Sequence, residues 1–442
     1  MRVRVDSRWD GRRRGMIAVQ VAITLTALMS VTAIAVDVGI VLAEQRHAQA
    51  GADAAAMAGA IDLYTNYRTY SGSDTNGTAK ASALTTANAN GYSNDGTTNI
   101  VTVNIPPKSG TFVGVAGYVE VIIQSNQPRY FSNIFGSGSI PVKARAVARG
   151  AWVVPKGGII ALDPTASPAL DDQGGGTLTV KNGTIIVDSN ATSSNGALKN
   201  GGGGKITAQA IDVTGSVDLT NNSTTNPTPT TGTSPTPDPY WYLPAPSAPP
   251  SGTISYNKTT STYTVTPGSF GGSGQPKLPN FKQGDTVIFE QASYGNGGIY
   301  YLTAGGLNSN GANLIMDSGT SGGMMFYNAG TGSNDVINIA GSSTGSVNLA
   351  GLTSGLYQGL LIFQARGTPS NITNSITGNG NFTMEGTFYD PTAGLKITGN
   401  GTSSIIGSSL IADTMSFGGN GNITVDYSGY TQPKGRFLGL VE

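Results

Sequence analysis

The amino-acid sequence predicts a mainly β protein: an N-terminal transmembrane helix with a small α+β domain, followed by a right-handed parallel β-helix, or solenoid. Three observations carry this expectation. An uncharged apolar run of about 21 residues, 16–36, follows an arginine-rich leader. An alanine-rich helical pattern comes next, with three strand-like runs behind it. From residue 151 the texture changes to glycine, asparagine and threonine, and short strands recur at a fixed interval.

At 1.5 Å per residue the apolar run spans about 30 Å, the thickness of a bilayer's hydrocarbon core. Arg2, Arg4, Arg8, Arg12, Arg13 and Arg14 precede it, against only Asp6 and Asp10. The positive-inside rule then holds residues 1–15 in the cytoplasm and sends everything after Asp37 across. The expected location is the inner (cytoplasmic) membrane, single-pass, with the bulk periplasmic or at the cell surface and the lipid bilayer as first partner. A cleaved signal peptide is the alternative, with Ala33-Ile34-Ala35 as its small-residue site. The length of the run and a helical pattern continuing to about Tyr64 favour a retained anchor.

Residues 37–150 form the expected α+β domain. Gly51, Ala55 and Gly59 fall at i, i+4 and i+8, a stripe that lets another backbone approach closely. It serves either a helix–helix assembly surface or packing against the chain's own domain. Strands are expected over 100–105, 118–125 and 140–149. In the last, Val142, Ala144, Ala146 and Ala148 alternate with Lys143 and Arg145, so one face is buried.

This region resembles a known family. The stretch RRRGMIAVQVAITLTALMSVTAIAVDVGIVLAEQRHAQAGADAAAMAGAIDL, with YVEVIIQS, Tyr130-Phe131, Phe135-Gly136 and VKARAVA further on, is similar to the N-terminal module of the Tad (tight-adherence, Flp) pilus-assembly proteins of the TadE/TadG-like group. The resemblance covers about a third of the chain. It implies a pilin-like outline for 37–150, an inner-membrane role in a secretion-linked pilus machine for surface attachment, and other Tad subunits as partners. Prepilins of this machinery are cut after a glycine and carry Glu at the fifth mature position. A cut at Gly15 would make Met16 first and put Gln20 there, without the carboxylate that pairs with a neighbouring subunit's amine. An unprocessed anchor is therefore favoured over a polymerised minor pilin.

From 151 to 442 the expected fold is the β-helix. The segments beginning at Ile376, Ile397 and Phe417 carry the same turn chemistry, at intervals of 21 and then 20 residues. Regular self-similarity at that period signals a solenoid, and the scarcity of helix formers with frequent Asn-Gly turns makes its coils β. Further strands are expected at 177–180, 184–188, 205–219, 286–289, 324–327 and 360–363. A proline-rich insertion over 221–251 holds nine prolines and should be extended. At its centre Tyr240, Trp241 and Tyr242 form either a clamp back onto the β-helix or an exposed platform for surface glycans. The long phrases GGIYYLTAGGL and GLYQGLLIFQARG also resemble the β-helical passengers joined to such N-termini.

Composition argues against turnover. Net charge is zero, only 11% of residues are charged, and no basic patch lies beyond the leader and one strand, which excludes nucleic acid as a partner. There is no cysteine, and the one histidine, His47, sits on the helix. No Ser–His–Asp or Cys–His arrangement and no His or Cys zinc site can be built in the passenger, so no catalytic residue, metal or cofactor is expected. Asp171-Asp172 is the only adjacent acid pair there, but neighbours on a strand face opposite ways. Asp163-Pro164-Thr165-Ala166-Ser167 faintly resembles the metal-ion motif of von Willebrand A domains, without its Ser or its helix. The expected function is a membrane-anchored, Tad pilus-associated protein presenting a β-helical domain for assembly, attachment or adhesion. The rival class is a membrane-anchored carbohydrate-active lyase or glycosidase.

Overall fold

The computed structural model describes residues 10–134, 136–153, 157–341, 346–368, 372–378, 381–399, 404–427, 433 and 435–442. The leader arginines at 2, 4 and 8, and the Asn-Gly pairs at 379–380 and 400–401 where turns are expected, lie outside the described residues. The protein is mainly β, with one long apolar N-terminal helix and extensive parallel sheet. It divides into two compact units, one of residues 1–153 with 436–442, the other of 154–435.

In the first unit helix α1 (Asp10–Tyr70) runs unbroken for 61 residues. Its alanines at 48, 52, 55, 56 and 60 are fully buried, because small side chains let the helix lie close on a neighbour. The neighbours are helix α2 (Thr78–Ala89), which buries Ala79, Ala83 and Ala87, and an antiparallel sheet. That sheet has β1 (Asn99–Asn104), β2 (Tyr118–Gln127), β3 (Ile140–Val153) and the strand Gly435–Leu440, in that order. The last strand corrects the expectation that all of 151–442 is passenger. β3 would otherwise end the sheet with unpaired backbone groups. The chain returns to cover it, the Val147 N–H donating to the Glu442 carbonyl at 2.8 Å and the Val441 N–H to the Val147 carbonyl at 2.9 Å.

The second unit is built of parallel ladders. In the longest, strands follow the spatial order Thr230–Thr231, Ala210–Val213, Thr184–Val187, Gly157–Ala161, Ser409–Gly418, Thr387–Gly399, Leu360–Gln364, Met325–Asn328, Ile299–Leu302 and Gly268–Phe270. The order is informative. The chain enters mid-ladder at Gly157–Ala161 and steps outward to Thr230–Thr231. It then crosses to the far end and steps back until Leu410 pairs with Ile159 and Ala412 with Ala161. Another ladder repeats this, with Thr424 beside Thr179 at its seam. The strands Thr387–Gly399 and Ser409–Gly418 extend into a third, where Ile376 pairs with Ile397 and Ile397 with Phe417. The sequence repeat is thus a stacking register. The expected strand over 205–219 is corrected to three, Lys205–Thr207, Ala210–Val213 and Val217–Leu219, one in each ladder. The chain turns between them to close its apolar side chains on a shared core.

That core takes alternate residues from facing ladders, among them Ile159, Phe289, Phe326, Ile362, Phe388 and Leu410. The residues between them, Ile160, Tyr327, Phe363, Tyr389 and Ile411, form a separate cluster on the other face of the longest ladder. Burial on both faces explains the continuous apolar runs LLIF and MMFY.

Candidate functional site

The outer face of the longest ladder is covered by the proline-rich segment. The expected insertion at 221–251 begins too early, since Thr224–Asn226 and Thr230–Thr231 are ladder strands. The remaining strap of about 20 residues, at ~3.1 Å each in a polyproline conformation, reaches about 60 Å. The nine interstrand steps it crosses need about 43 Å. Proline suits it because a covering segment has no ladder partner for its N–H groups.

Contacts along the strap occur in ladder order. The Thr236 N–H donates to Asp188 Oδ1 at 2.8 Å, and the Tyr389 hydroxyl to Asp238 Oδ2 at 2.5 Å. Arg366 donates through Nη1 to the Leu243 carbonyl and through Nη2 to the Tyr240 carbonyl, both at 2.5 Å. The Tyr357 hydroxyl reaches the Pro244 carbonyl at 3.1 Å, and Ser269 ties down Pro249 and Pro250 at the far end.

The three aromatics are split by this geometry. Tyr240 is buried edge-on against Tyr389, with ring centroids 5.5 Å apart, and donates to the Pro433 carbonyl. Tyr242 is half-buried against the same cluster, while Trp241 is 68% exposed. A platform of three rings is therefore corrected to a clamp with one exposed indole. Residues 239–242 make a tight turn, closed by the Leu243 N–H on the Tyr240 carbonyl at 2.9 Å, and a turn held down on one side sends neighbouring rings in different directions.

A cleft of about 380 Å³ lies between strap and ladder. Asp188, Asp238, Asp413 and Arg366 line it, with Pro235 and Thr392. Burial pushes the Asp188 carboxyl up to about 6, against the Thr236 N–H that lowers it. Burial, then the charge of Asp163, raises Asp413. Behind the cleft a polar chain runs inside the stack. Asn328 Nδ2 donates to Gln364 Oε1 at 2.9 Å, and Asn374 Nδ2 to Gln364 Oε1 and to Asp390 Oδ1, each at 3.1 Å. Asp390 is fully buried, its Oδ2 has no partner among the described residues, and burial pushes its carboxyl up to about 7. These are groups held by desolvation; Arg366 is committed to strap carbonyls and the sole histidine is in the other unit.

The other expected residues fall elsewhere. Asp171 is half-exposed and accepts from Gln173, whereas Asp172 is buried on the opposite side, with its carboxyl raised by burial to about 6. Asp163 Oδ1 accepts the N–H groups of Thr165 and Ala166, closing a turn. Among the described residues no group of three His, Asp or Glu side chains is arranged to hold a metal. Gly51, Ala55 and Gly59 face their own domain, which overturns the assembly seam. A Cβ on Gly51 would sit 2.8 Å from the Tyr92 ring, and one on Gly59 3.0 Å from Val119. Gly150, not singled out from sequence, is needed more: a Cβ there would lie 1.8 Å from the Ala60 carbonyl oxygen. The helix passes unbroken through Gly15 and Met16 to Gln20, which is exposed. Sequence reasoning also missed the clamp by Arg366. The available signal was its isolation as the sole arginine between Gly150 and Arg436.

The apolar half of α1 has its own logic. Ile17, Val19, Ile23, Leu28, Met29, Val31 and Ile34 are exposed around the whole helix, with no polar stripe. The hydroxyls of Thr24, Thr26, Ser30 and Thr32 donate back to the carbonyls of Gln20, Ala22, Thr26 and Leu28 at 2.8–2.9 Å, so none needs water. This helix is long and apolar enough to span a membrane. No family model matches the chain, and neither a curated protein nor a solved structure matches it.

Proposed function

We propose that the chain is a single-pass inner-membrane protein of the Tad pilus-assembly kind, N-terminus cytoplasmic, that presents a right-handed parallel β-helix for assembly, attachment or adhesion. It works by surface contact, not turnover, with the bilayer and other pilus-machine subunits as partners and surface glycans at the exposed Trp241. One observation carries the anchor: the all-round exposed apolar run, its hydroxyls internally satisfied, continues without a break into the helix that forms the first unit's core. The Tad assignment is supported by the resemblance of residues 12–63 and 118–149. The β-helix is supported by three parallel ladders around one core and by repeats that stack in register, and its right hand by the crossover rule for parallel strands.

Mass spectrometry of the protein's N-terminus, on sheared surface filaments and on membranes, tests this. An intact arginine leader confined to membranes is expected. An N-terminus at Met16 in filaments would make the protein a processed minor pilin despite Gln20.

A carbohydrate-active enzyme is the second reading, favoured by one observation, the raised carboxyls of Asp188 and Asp413 in one cleft. Glycan release by the detergent-solubilised full chain, abolished in Asp413→Asn, would establish it.

A further inference from the structure

The loop after β2 meets α1 where its apolar run ends. Asp37, the first charged residue past that run, is only 6% exposed. Its carboxylate accepts the Ser132 N–H at 2.7 Å and the Phe131 N–H at 3.1 Å. These bonds fix the loop to the helix and satisfy two amides that have no ladder partner. On the same loop Tyr130 is 60% and Phe131 50% exposed, though both are large rings. Phe131 walls a groove along helix residues 25–36, and Arg129, its Nε buried and without a partner among the described residues, lines a second groove with Ile34, Val38, Val41 and Leu42 beside Asp37.

We propose that residues 129–132 are a membrane-seating foot: Tyr130 and Phe131 insert at the headgroup–acyl boundary, Arg129 meets lipid phosphates, and Asp37 sets the depth. The proposal rests on the anchor reading and adds a second, loop-borne contact with the bilayer. Four features point to lipid. Amphipathic and aromatic rings prefer the interfacial layer, and an arginine with its stem on apolar surface sends its guanidinium toward the phosphates. Backbone entering that layer needs its amides satisfied, which Asp37 does for Phe131 and Ser132. The Phe131 ring is continuous with an exposed apolar helix face of membrane-spanning length, which hydrocarbon suits. A second copy fits poorly, because close helix approach wants small residues, and the bulky Phe131 ring flanks the helix here beside Leu25, Leu28, Met29 and Ile34.

The absence of native cysteine makes the test clean. Single nitroxide labels at Tyr130→Cys, Phe131→Cys, Val31→Cys and Val115→Cys are placed on the full chain in phosphatidylcholine–phosphatidylglycerol vesicles. Accessibility to oxygen and to a water-soluble nickel chelate then reports depth. Labels at 130 and 131 should shift from the aqueous value at 115 to headgroup depth, with 31 deep in the acyl region. Adding Asp37→Asn should return 131 toward the aqueous value. Aqueous accessibility at 130 and 131 with 31 deep would overturn the foot and leave the anchor standing. Aqueous accessibility at 31 would overturn the anchor and the foot together. Spin–spin broadening at 131 would assign the surface to a second copy instead.

Discussion

The two units treat buried carboxylates in opposite ways. In the first, Glu120 is fully buried. Burial alone would raise its carboxyl, but the Ser109 hydroxyl, the Lys108 N–H, Arg145 and Asn104 outweigh that and hold it at about 2. The Arg145 Nε lies 2.7 Å from Glu120 Oε1, and its Nη1 2.5 Å from Glu442 Oε2. At the surface of the same unit the N–H groups of Asn99, Thr97 and Thr98 hold the exposed Asp95 at about 2. In the second unit Asp172 and Asp188 are raised to about 6 and Asp390 to about 7, burial being the first cause each time. Donor supply explains the difference. Loops and sheet ends in the α+β unit leave N–H groups free to turn toward an acid. In the stack, neighbouring strands have already used those groups, so a buried acid finds one donor or none.

Opposite pH dependence follows. The depressed acids of the first unit stabilise it above their unfolded values near 4, and that contribution is lost as pH falls toward 2. The raised acids of the second favour the fold when protonated, below about pH 4, and that contribution is lost as pH rises through 6 to 7. Peptide-resolved hydrogen exchange, corrected for intrinsic rates, should find the second unit more protected at about pH 5 than at about pH 8.

The largest perturbation of this contrast should be Tyr240→Ala. It empties a fully buried aromatic site and costs about 3–5 kcal/mol, in the second unit only. By freeing the strap it should also rehydrate Asp188 and flatten part of the pH dependence; thermal unfolding at both pH values reads both effects. Next is Glu120→Gln, about 2–3 kcal/mol against the first unit. Exchange should quicken over 99–149 and leave the ladders unchanged, and an equal loss in both units would break the comparison. Asp390→Asn should stabilise the stack by about 1–2 kcal/mol at pH 8 and by little at pH 5, measured by denaturant midpoint. The smallest effect is Trp241→Ala, within about 0.5 kcal/mol by thermal melt, because the indole is mostly exposed. Its readout is binding to a glycan array, where loss without destabilisation is expected.

Legibility differed between the units. The apolar run, the alternation of residues 142–148 and the repeats at Ile376, Ile397 and Phe417 are periodicities, and local geometry converts a period into a helix, a strand face or a stacking register. The acid cleft was not legible. Asp188, Asp413, Asp238 and Arg366 are scattered over more than 220 residues and no spacing links them.

By itself, the sequence determined an apolar helix of membrane length, an alternating small sheet and a repetitive β region, because these depend on side chains within a turn or a strand of one another. Tertiary structure alone decided three things. It closed the edge of β3 with residues 436–442, started the ladders in the middle and sent the strap across them, and buried Tyr240 while leaving Trp241 in solvent. Each depends on which backbone edge or apolar face still lacked a partner once the local elements had formed, and a one-dimensional pattern does not encode that.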